Sequence, residues 1–335
     1  MVKPTVISLF AGCGGSSLGY KYAGFKELLA IEWDDNAVKT FQLNFPNVPI
    51  WQKDIKEITG QEITNSLGIN KGELDLLDGS PPCQGFSTAG KRVVSDGRND
   101  LVNENIRLIE ELEPKVFVIE NVSGMIKGKM KGLFIQYMKR MKSLNYQVKC
   151  KLMNAKYYNV PQSRQRVIFI GVRKDLGIEP SYPKGNKKLI IMKKVIGDLG
   201  NIQNKENNHI WLDESENGKN TKTYQLAKKA KQGKKYAGHQ KRLVYNKVCP
   251  TLCKPSSDGM NIVSYLRNSH CHPIFTRTLS IRELARLSSF PDDFKFTKDL
   301  IGANRIGNSV PPLFMKAIAE HIRINILEKA VMLNG

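Results

Sequence analysis

The chain has 335 residues, room for one large domain or two, and 41% of them are hydrophobic, enough to bury a sizeable core. Its 52 Lys and Arg against 31 Asp and Glu give a formal charge of +21, which points to a polyanionic partner, most commonly nucleic acid. No signal peptide opens the chain, no apolar run approaches the roughly 18 residues of a membrane span, and six cysteines lie scattered without a disulfide framework, so a cytoplasmic protein is expected rather than a secreted or membrane-spanning one.

The first run, TVISLF (Thr5 to Phe10), reads as a strand and passes straight into AGCGGSSLG, Ala11 to Gly19. Glycines at 12, 14 and 15 let the backbone approach a ligand and expose N–H groups ahead of the helix expected over Leu18 to Ala23. Tight packing alone would use the same glycines. ELLAIEW (Glu27 to Trp33) is the second strand. Glu32 near its end lies twenty positions beyond Gly12, where a carboxylate in a Rossmann-like fold accepts hydrogen bonds from ribose hydroxyls. Together these two features favour a nucleoside-containing cofactor. Trp33 either stacks on an adenine or packs in the core. After a helix over Asn36 to Phe45, Asp54 and Ile55 offer a carboxylate for an exocyclic amine and an apolar wall, although Asp54 also suits a helix N-cap.

LDLLDG (Leu74 to Gly79) is the next strand, and it leads through two prolines to Cys83 in SPPCQGFSTAG. A thiolate there could attack an electrophilic carbon if basic groups or a helix N-terminus help lower its pKa from about 8.5. A lone cysteine is otherwise inert. Pro81 and Pro82 stiffen the approach, and Gly85, Gly90 and Gly97 leave the following basic loop, with Lys91, Arg92 and Arg98, free to move. A helix over Asn103 to Leu112 precedes KVFVIEN (Lys115 to Asn121), a strand whose end carries Glu120 to the same sheet edge as Cys83. A nucleophile and a carboxylic acid side by side make covalent chemistry with proton donation feasible. A capping carboxylate is the plainer reading of Glu120. A helix over Gly132 to Leu144 and a strand over Tyr146 to Asn154 then lead to QSRQR, in which Arg164 and Arg166 share one face if extended. Two such guanidinium groups can clamp a phosphate or hold a carboxylate. With RVIFIGV (Arg166 to Val172), the alternation argues for an α/β fold: a parallel sheet covered by helices.

After Pro183 the periodicity weakens. Lys184 to Lys247 holds 16 Lys and Arg against 5 Asp and Glu, the first place to expect phosphate contacts. Cys249, Cys253, His270, Cys271 and His272 crowd together, but their intervals match no usual zinc pattern, so no metal is expected. A helix is expected over Ser280 to Ser289. Leu313 to Leu327 puts Phe314, Ile318, Ile322 and Ile326 on one face, an amphipathic helix docked on a core.

Taken together, FAGCGG (Phe10 to Gly15), IEWD (31 to 34), KDI (53 to 55), GSPPCQGFS (79 to 87), ENV (120 to 122), QSRQRVIFIG (162 to 171), RELARLSSFPDDF (282 to 294) and GNSVPP (307 to 312) resemble, in order, the DNA (cytosine-5)-methyltransferases, closest in compact length to the bacterial restriction-modification type. The resemblance spans nearly the whole chain. It implies a Rossmann-like S-adenosylmethionine-dependent methyltransferase domain over 1–185, completed by 305–335, with a target-recognition domain over 186–304.

Carried over by position, the resemblance makes Phe10, Cys13, Gly14, Glu32, Trp33, Asp54, Ile55, Pro82, Leu101, Asn308 and Val310 a cofactor-binding set for S-adenosyl-L-methionine. In it Glu32 holds the ribose, Trp33 packs on the adenine and Asp54 takes the adenine amino group. The resemblance further implies a catalytic set. Cys83 attacks carbon 6 of a flipped-out cytosine, Glu120 engages ring nitrogen 3, and Arg164 and Arg166 steady the base and Glu120. The loop from Gly85 to Asp100, with Ser87, Lys91 and Arg92, closes over DNA, and Thr251 of a Thr-Leu pair lies near the DNA backbone.

One departure stands out: family members usually carry an acidic residue just before LFAG, and here that position is Ser8. The partners expected are double-stranded DNA and a cognate restriction endonuclease, for a monomer associated with the nucleoid. The tRNA-methylating branch, a non-catalytic DNA-binding regulator on the same scaffold, and a nicotinamide-dependent oxidoreductase are the competing readings.

Overall fold

A computed structural model describes residues 2–82, 100–126, 131–200, 222–237, 240–252, 271–275, 278–296 and 299–334. The chain divides into two compact units: residues 1–154, 165–184 and 314–335 form the first, and residues 155–164 and 185–313 the second. Of the residues expected in the larger domain, 155–164, Gly185 and 305–313 fall in the second unit. For 155–164 the reason is local, because β7 (Gln162–Ser163) pairs in parallel with the short strand Cys249–Pro250.

The first unit is built on β1 (Thr5–Leu9), β2 (Lys26–Glu32), β3 (Ile50–Gln52), β4 (Leu76–Gly79), β5 (Val116–Val122), β6 (Tyr146–Asn154) and β8 (Gln165–Arg173). They form one seven-stranded sheet in the order β3-β2-β1-β4-β5-β8-β6. The five strands from β3 to β5 run parallel. β8 instead lies antiparallel to both β5 and β6, so the sheet is mixed rather than parallel throughout. The short connection from β6 to β8 explains the reversal, since a parallel return needs a crossover of a dozen residues or more.

β1, β4, β5 and β8 read as near-continuous apolar runs because both faces are covered, whereas β6 at the sheet's edge alternates apolar and polar residues. One face contributes Ile7, Leu9, Leu29, Ile31, Phe117, Ile119 and Phe169 to the main core, and residues of the opposite parity, such as Val6, Ala30, Val116 and Ile168, are buried as well. β5 and β8 approach closely, and a Cβ at Gly171 would lie 2.0 Å from the Phe117 ring.

Helices α1 (Gly15–Tyr22), α2 (Asp35–Asn44), α3 (Gly60–Leu67), α4 (Asp100–Leu112) and α5 (Lys131–Ser143) connect the strands. α2 is capped by Asp34, whose side chain accepts from Ala37 N at 3.0 Å. α3 carries a reciprocal capping box between Thr59 and Glu62 and ends on Gly68 at φ 63°. The C-terminal helix begins at Pro312, widens to π geometry over Arg323–Leu327, and continues to Asn334. Phe314, Ile318, Ile322 and Ile326 are each fully buried, as their four-residue spacing predicts.

The second unit has little regular structure among its described residues. Helices Met192–Ile196, Lys222–Lys229, Ile281–Leu287 and Asp299–Asn308 accompany two-stranded pairs. Its core gathers Met192, Ile196, Leu243, Cys249, Leu252, Leu279 and Leu287. Buried Arg242 organises the surrounding backbone. Its Nη1 donates to the carbonyls of His272, Ile274 and Phe275, and its Nη2 to that of Ala227 at 2.8 Å. Among the described residues no helix is long and apolar enough to cross a membrane.

Candidate active site

The carboxyl ends of β1, β2, β4 and β5 meet at one edge of the first unit's sheet, the edge where open α/β sheets bind ligands. At the end of β1 the backbone turns sharply. Phe10 has φ 56°, Gly12 φ 57° and Gly14 φ 92°. A phenylalanine in the left-handed region is strained, and such strain concentrates where a structure holds a ligand. Gly14 is required on two counts, its positive φ and a Phe45 ring atom 2.4 Å from where a Cβ would stand. At Gly12 a Cβ would meet nothing within 4 Å, so the turn presents bare backbone to open space.

Glu32 staples this turn to β2. Its Oε2 accepts from Gly12 N at 2.8 Å, while Oε1 accepts from Trp33 N at 3.0 Å and Asp34 N at 2.9 Å. Burial pushes the Glu32 carboxyl up, and the three amides act against that rise. Trp33, next in sequence, is 72% exposed, an open aromatic face beside that carboxylate. Asp54 is both exposed and a cap: its Oδ1 accepts from Lys56 N at 3.1 Å. Ile55 and Cys13 are buried, Phe10 and Leu101 are partly buried against the main core, and Pro82 is exposed.

A ligand with a ribose hydroxyl pair and a flat purine fits this donor set. A Glu32 lone pair, the Trp33 face and the bare Gly12 backbone are the three features it needs, all from one unit.

Glu120, near the end of β5, is 8% exposed. Arg166 Nε lies 2.6 Å from Glu120 Oε1 in an ion pair whose side chains are 13% and 10% exposed. The register explains the meeting, because Val122 of β5 faces Arg166 of β8 two residues along from Glu120. Arg166 Nη1 also donates to Gln165 O at 2.8 Å. Arg164 is engaged elsewhere: its Nη1 donates to Leu252 O and Gly307 O, each at 3.0 Å, and its Nη2 to Asn308 O at 3.4 Å, all within the second unit. In the same unit Thr251 Oγ1 donates to Ser163 O at 2.6 Å, Asn308 is exposed and Val310 is buried.

Cys83, Ser87, Lys91 and Arg92 lie outside the described residues, as do Cys253 and His270. Of the remaining Cys and His cluster, Cys249 and Cys271 are buried, and His272 Nε2 lies 3.4 Å from Glu283 Oε1. Where β4 and β5 end, Ser80 Oγ, Asn105 Nδ2 and Asn121 Nδ2 are buried without a hydrogen bond among the described residues. Buried polar atoms are ordinarily satisfied, so this edge is polar beyond what packing requires.

Sequence reasoning missed a second polar group behind the glycine turn, formed by Ser16, Ser17, Tyr20, Glu27 and Asp78. Its signal was present: Asp78 is an acid inside the apolar run LDLLDG, at a position whose strand neighbours are all buried.

A family model described as C-5 cytosine-specific DNA methylase matches residues 4–323. The Type II methyltransferase M.XorII of Xanthomonas oryzae pv. oryzae is 32% identical, over 96% of this chain and 85% of the relative. The Type II methyltransferase M1.HphI of Haemophilus parahaemolyticus is 34% identical, over 95% and 86% respectively. A solved structure described as a DNA modification methyltransferase encoded within an E. coli prophage aligns with a TM-score of 0.79 at 26% identity, covering 97% of this chain and all of that one. The Dnmt2 methyltransferase of S. pombe shares the fold, with a TM-score of 0.65 at 15% identity over 98% of this chain.

Proposed function

The chain belongs to the C-5 cytosine-specific DNA methylase family, and on that premise we propose how its residues divide the reaction. The activity is methylation of carbon 5 of cytosine in DNA, of the restriction-modification type. S-adenosyl-L-methionine is the donor in this reading and supplies an electrophilic methyl group. Glu32 would hold its ribose and Trp33 its adenine, with Asp54 at the amino group.

Carbon 5 of cytosine is a poor nucleophile until something adds at carbon 6. The Cys83 thiolate takes that role: its Sγ bonds to carbon 6, carbon 5 takes the methyl group, a base of the solvent takes the carbon 5 proton, and the electron pair left at carbon 5 re-forms the ring double bond as the Cys83 thiolate departs from carbon 6. Glu120 passes a proton to ring nitrogen 3 and so neutralises the negative charge that develops there, and Arg166 holds Glu120 in place. Reaching the ring requires flipping it from the duplex stack, at a cost of a few kcal/mol. The loop that follows Cys83, with Ser87, Lys91 and Arg92, closes on the DNA in this reading, and Thr251 lies near the backbone. The protein acts as a monomer in the cytoplasm, on the site of a cognate restriction endonuclease.

The observation that supports this division most strongly is the buried Glu120–Arg166 pair, one strand over from the segment that runs into Pro81, Pro82 and Cys83. Incubation with methyl-labelled S-adenosylmethionine and either duplex DNA or tRNA tests it. Label is expected in DNA; label found in tRNA alone would overturn the DNA reading.

A further inference from the structure

The polar group behind the glycine turn has no part in the chemistry derived so far, yet it contains the most deeply buried acid of the sheet. Asp78 on β4 is 1% exposed. In the ladder it is paired with Ser8 of β1 on one side and Val118 of β5 on the other. Paired residues of neighbouring strands project to the same face, so the Asp78 carboxyl stands beside the Ser8 side chain. Tyr20 Oη donates to Asp78 Oδ1 at 3.0 Å, and the Ser16 hydroxyl hydrogen-bonds the same carboxyl. Both partners belong to α1. Glu27 of β2 completes the group, accepting from Ser17 Oγ at 2.8 Å.

Burial pushes Asp78 up to about 8, with Glu27 and Glu120 adding to the rise and the two hydroxyls opposing it. Burial likewise raises Glu27 to about 7. An acid in this position costs folding free energy that an apolar side chain of the same size would not.

We propose that Asp78 is a positioning residue for cofactor binding: it ties the first turn of α1, and with it the glycine turn Gly12–Gly15, to the strand that runs into Pro81 and Pro82. Two carboxylates facing each other across one buried ladder cannot both ionise. Ser8 keeps the site beside Asp78 small and uncharged, and its hydroxyl acts on the Glu27 carboxyl, opposing the rise that burial causes there. The acid stands on β4 at the level of Ser8, and α1 meets it there. The inference rests on the reading of the Gly12, Glu32 and Trp33 edge as the S-adenosylmethionine site.

The test uses the full chain and reads binding as well as rate. S-adenosylmethionine is titrated calorimetrically into wild type, Asp78→Leu, Ser8→Asp and the exchange Ser8→Asp/Asp78→Ser, and KM is measured for cofactor and for DNA. Asp78→Leu is expected to raise the cofactor Kd and KM about tenfold or more, with the DNA KM unchanged and cooperative melting kept. Ser8→Asp alone weakens cofactor binding similarly and the exchange restores most of the loss, while the unchanged DNA KM and kept cooperative melting are what a purely structural role for Asp78 would not produce. A wild-type cofactor Kd in Asp78→Leu, or an exchange that binds no better than Ser8→Asp alone, overturns the inference. Should Asp78→Leu not fold, the comparison of Ser8→Asp with the exchange decides. A wild-type chain that binds no S-adenosylmethionine overturns the site reading itself, a result distinguishable from wild-type binding that Asp78→Leu leaves unchanged.

Discussion

Glu120 and Arg166 show how far a residue's task follows from its neighbours. A carboxylate 10% exposed needs a partner, and the 2.6 Å ion pair provides one without consuming both of its oxygens. Removing Arg166 leaves that charge buried and uncompensated beside the reacting base. Arg166→Ala is accordingly expected to lower kcat by about a hundredfold, within the range of about 10² to 10⁴ that a positioned acid or base contributes, while the S-adenosylmethionine Kd stays within about twofold. Steady-state kinetics with calorimetry check this, and a kcat within threefold of wild type would contradict it. The QSRQR spacing singled out both arginines. It could not show that Arg164 donates to the carbonyls of Leu252, Gly307 and Asn308, because those acceptors lie far along the chain. Asp78 was readable as an acid in an apolar run, but its partners Tyr20 and Ser16 come from another element and carry no local signal.

Among the elements, the glycine turn carries the sharpest constraint. Gly14 combines φ 92° with a Phe45 ring atom 2.4 Å from the Cβ position. Gly14→Ala should therefore cost about 1–3 kcal/mol in backbone strain, with further loss from displacing Phe45, and should weaken cofactor binding; a Tm and a cofactor Kd both equal to wild type would refute this. The strands β1, β2, β5, β6 and β8 were legible to within a residue or two, β1, β5 and β8 because burial on both faces leaves an apolar run, and β6 because its residues alternate apolar and polar. β3 was not, since three residues carry no period. α3 also escaped notice, with a thin apolar stripe of Ile63 and few neighbours, although its Thr59–Glu62 capping box is a local signal. The direction of β8 could not be read at all: an apolar run is the same read either way, and only its pairing with β5 and β6 settles the reversal.

At the scale of the whole molecule, charge and motif order tell one story. An excess of basic residues giving +21 suits a polyanion, and the family model extends over residues 4–323, through both units. The basic stretch 184–247 belongs to the second unit from Gly185 onward, and its weak periodicity agrees with the few and short elements among its described residues. That unit's core rests on Met192, Cys249 and Leu279, distant in sequence from one another, so its packing was not readable from any local pattern. The central claim is that Cys83 forms a transient bond to cytosine carbon 6. Replacing the target cytosine with 5-fluorocytosine blocks the final loss from carbon 5 and should trap that bond. With S-adenosylmethionine and a DNA sequence the enzyme methylates, the wild-type protein should give an adduct that survives denaturing electrophoresis, and Cys83→Ala should give none. Absence of an adduct from active wild-type protein, or an equal adduct from Cys83→Ala, would contradict the account.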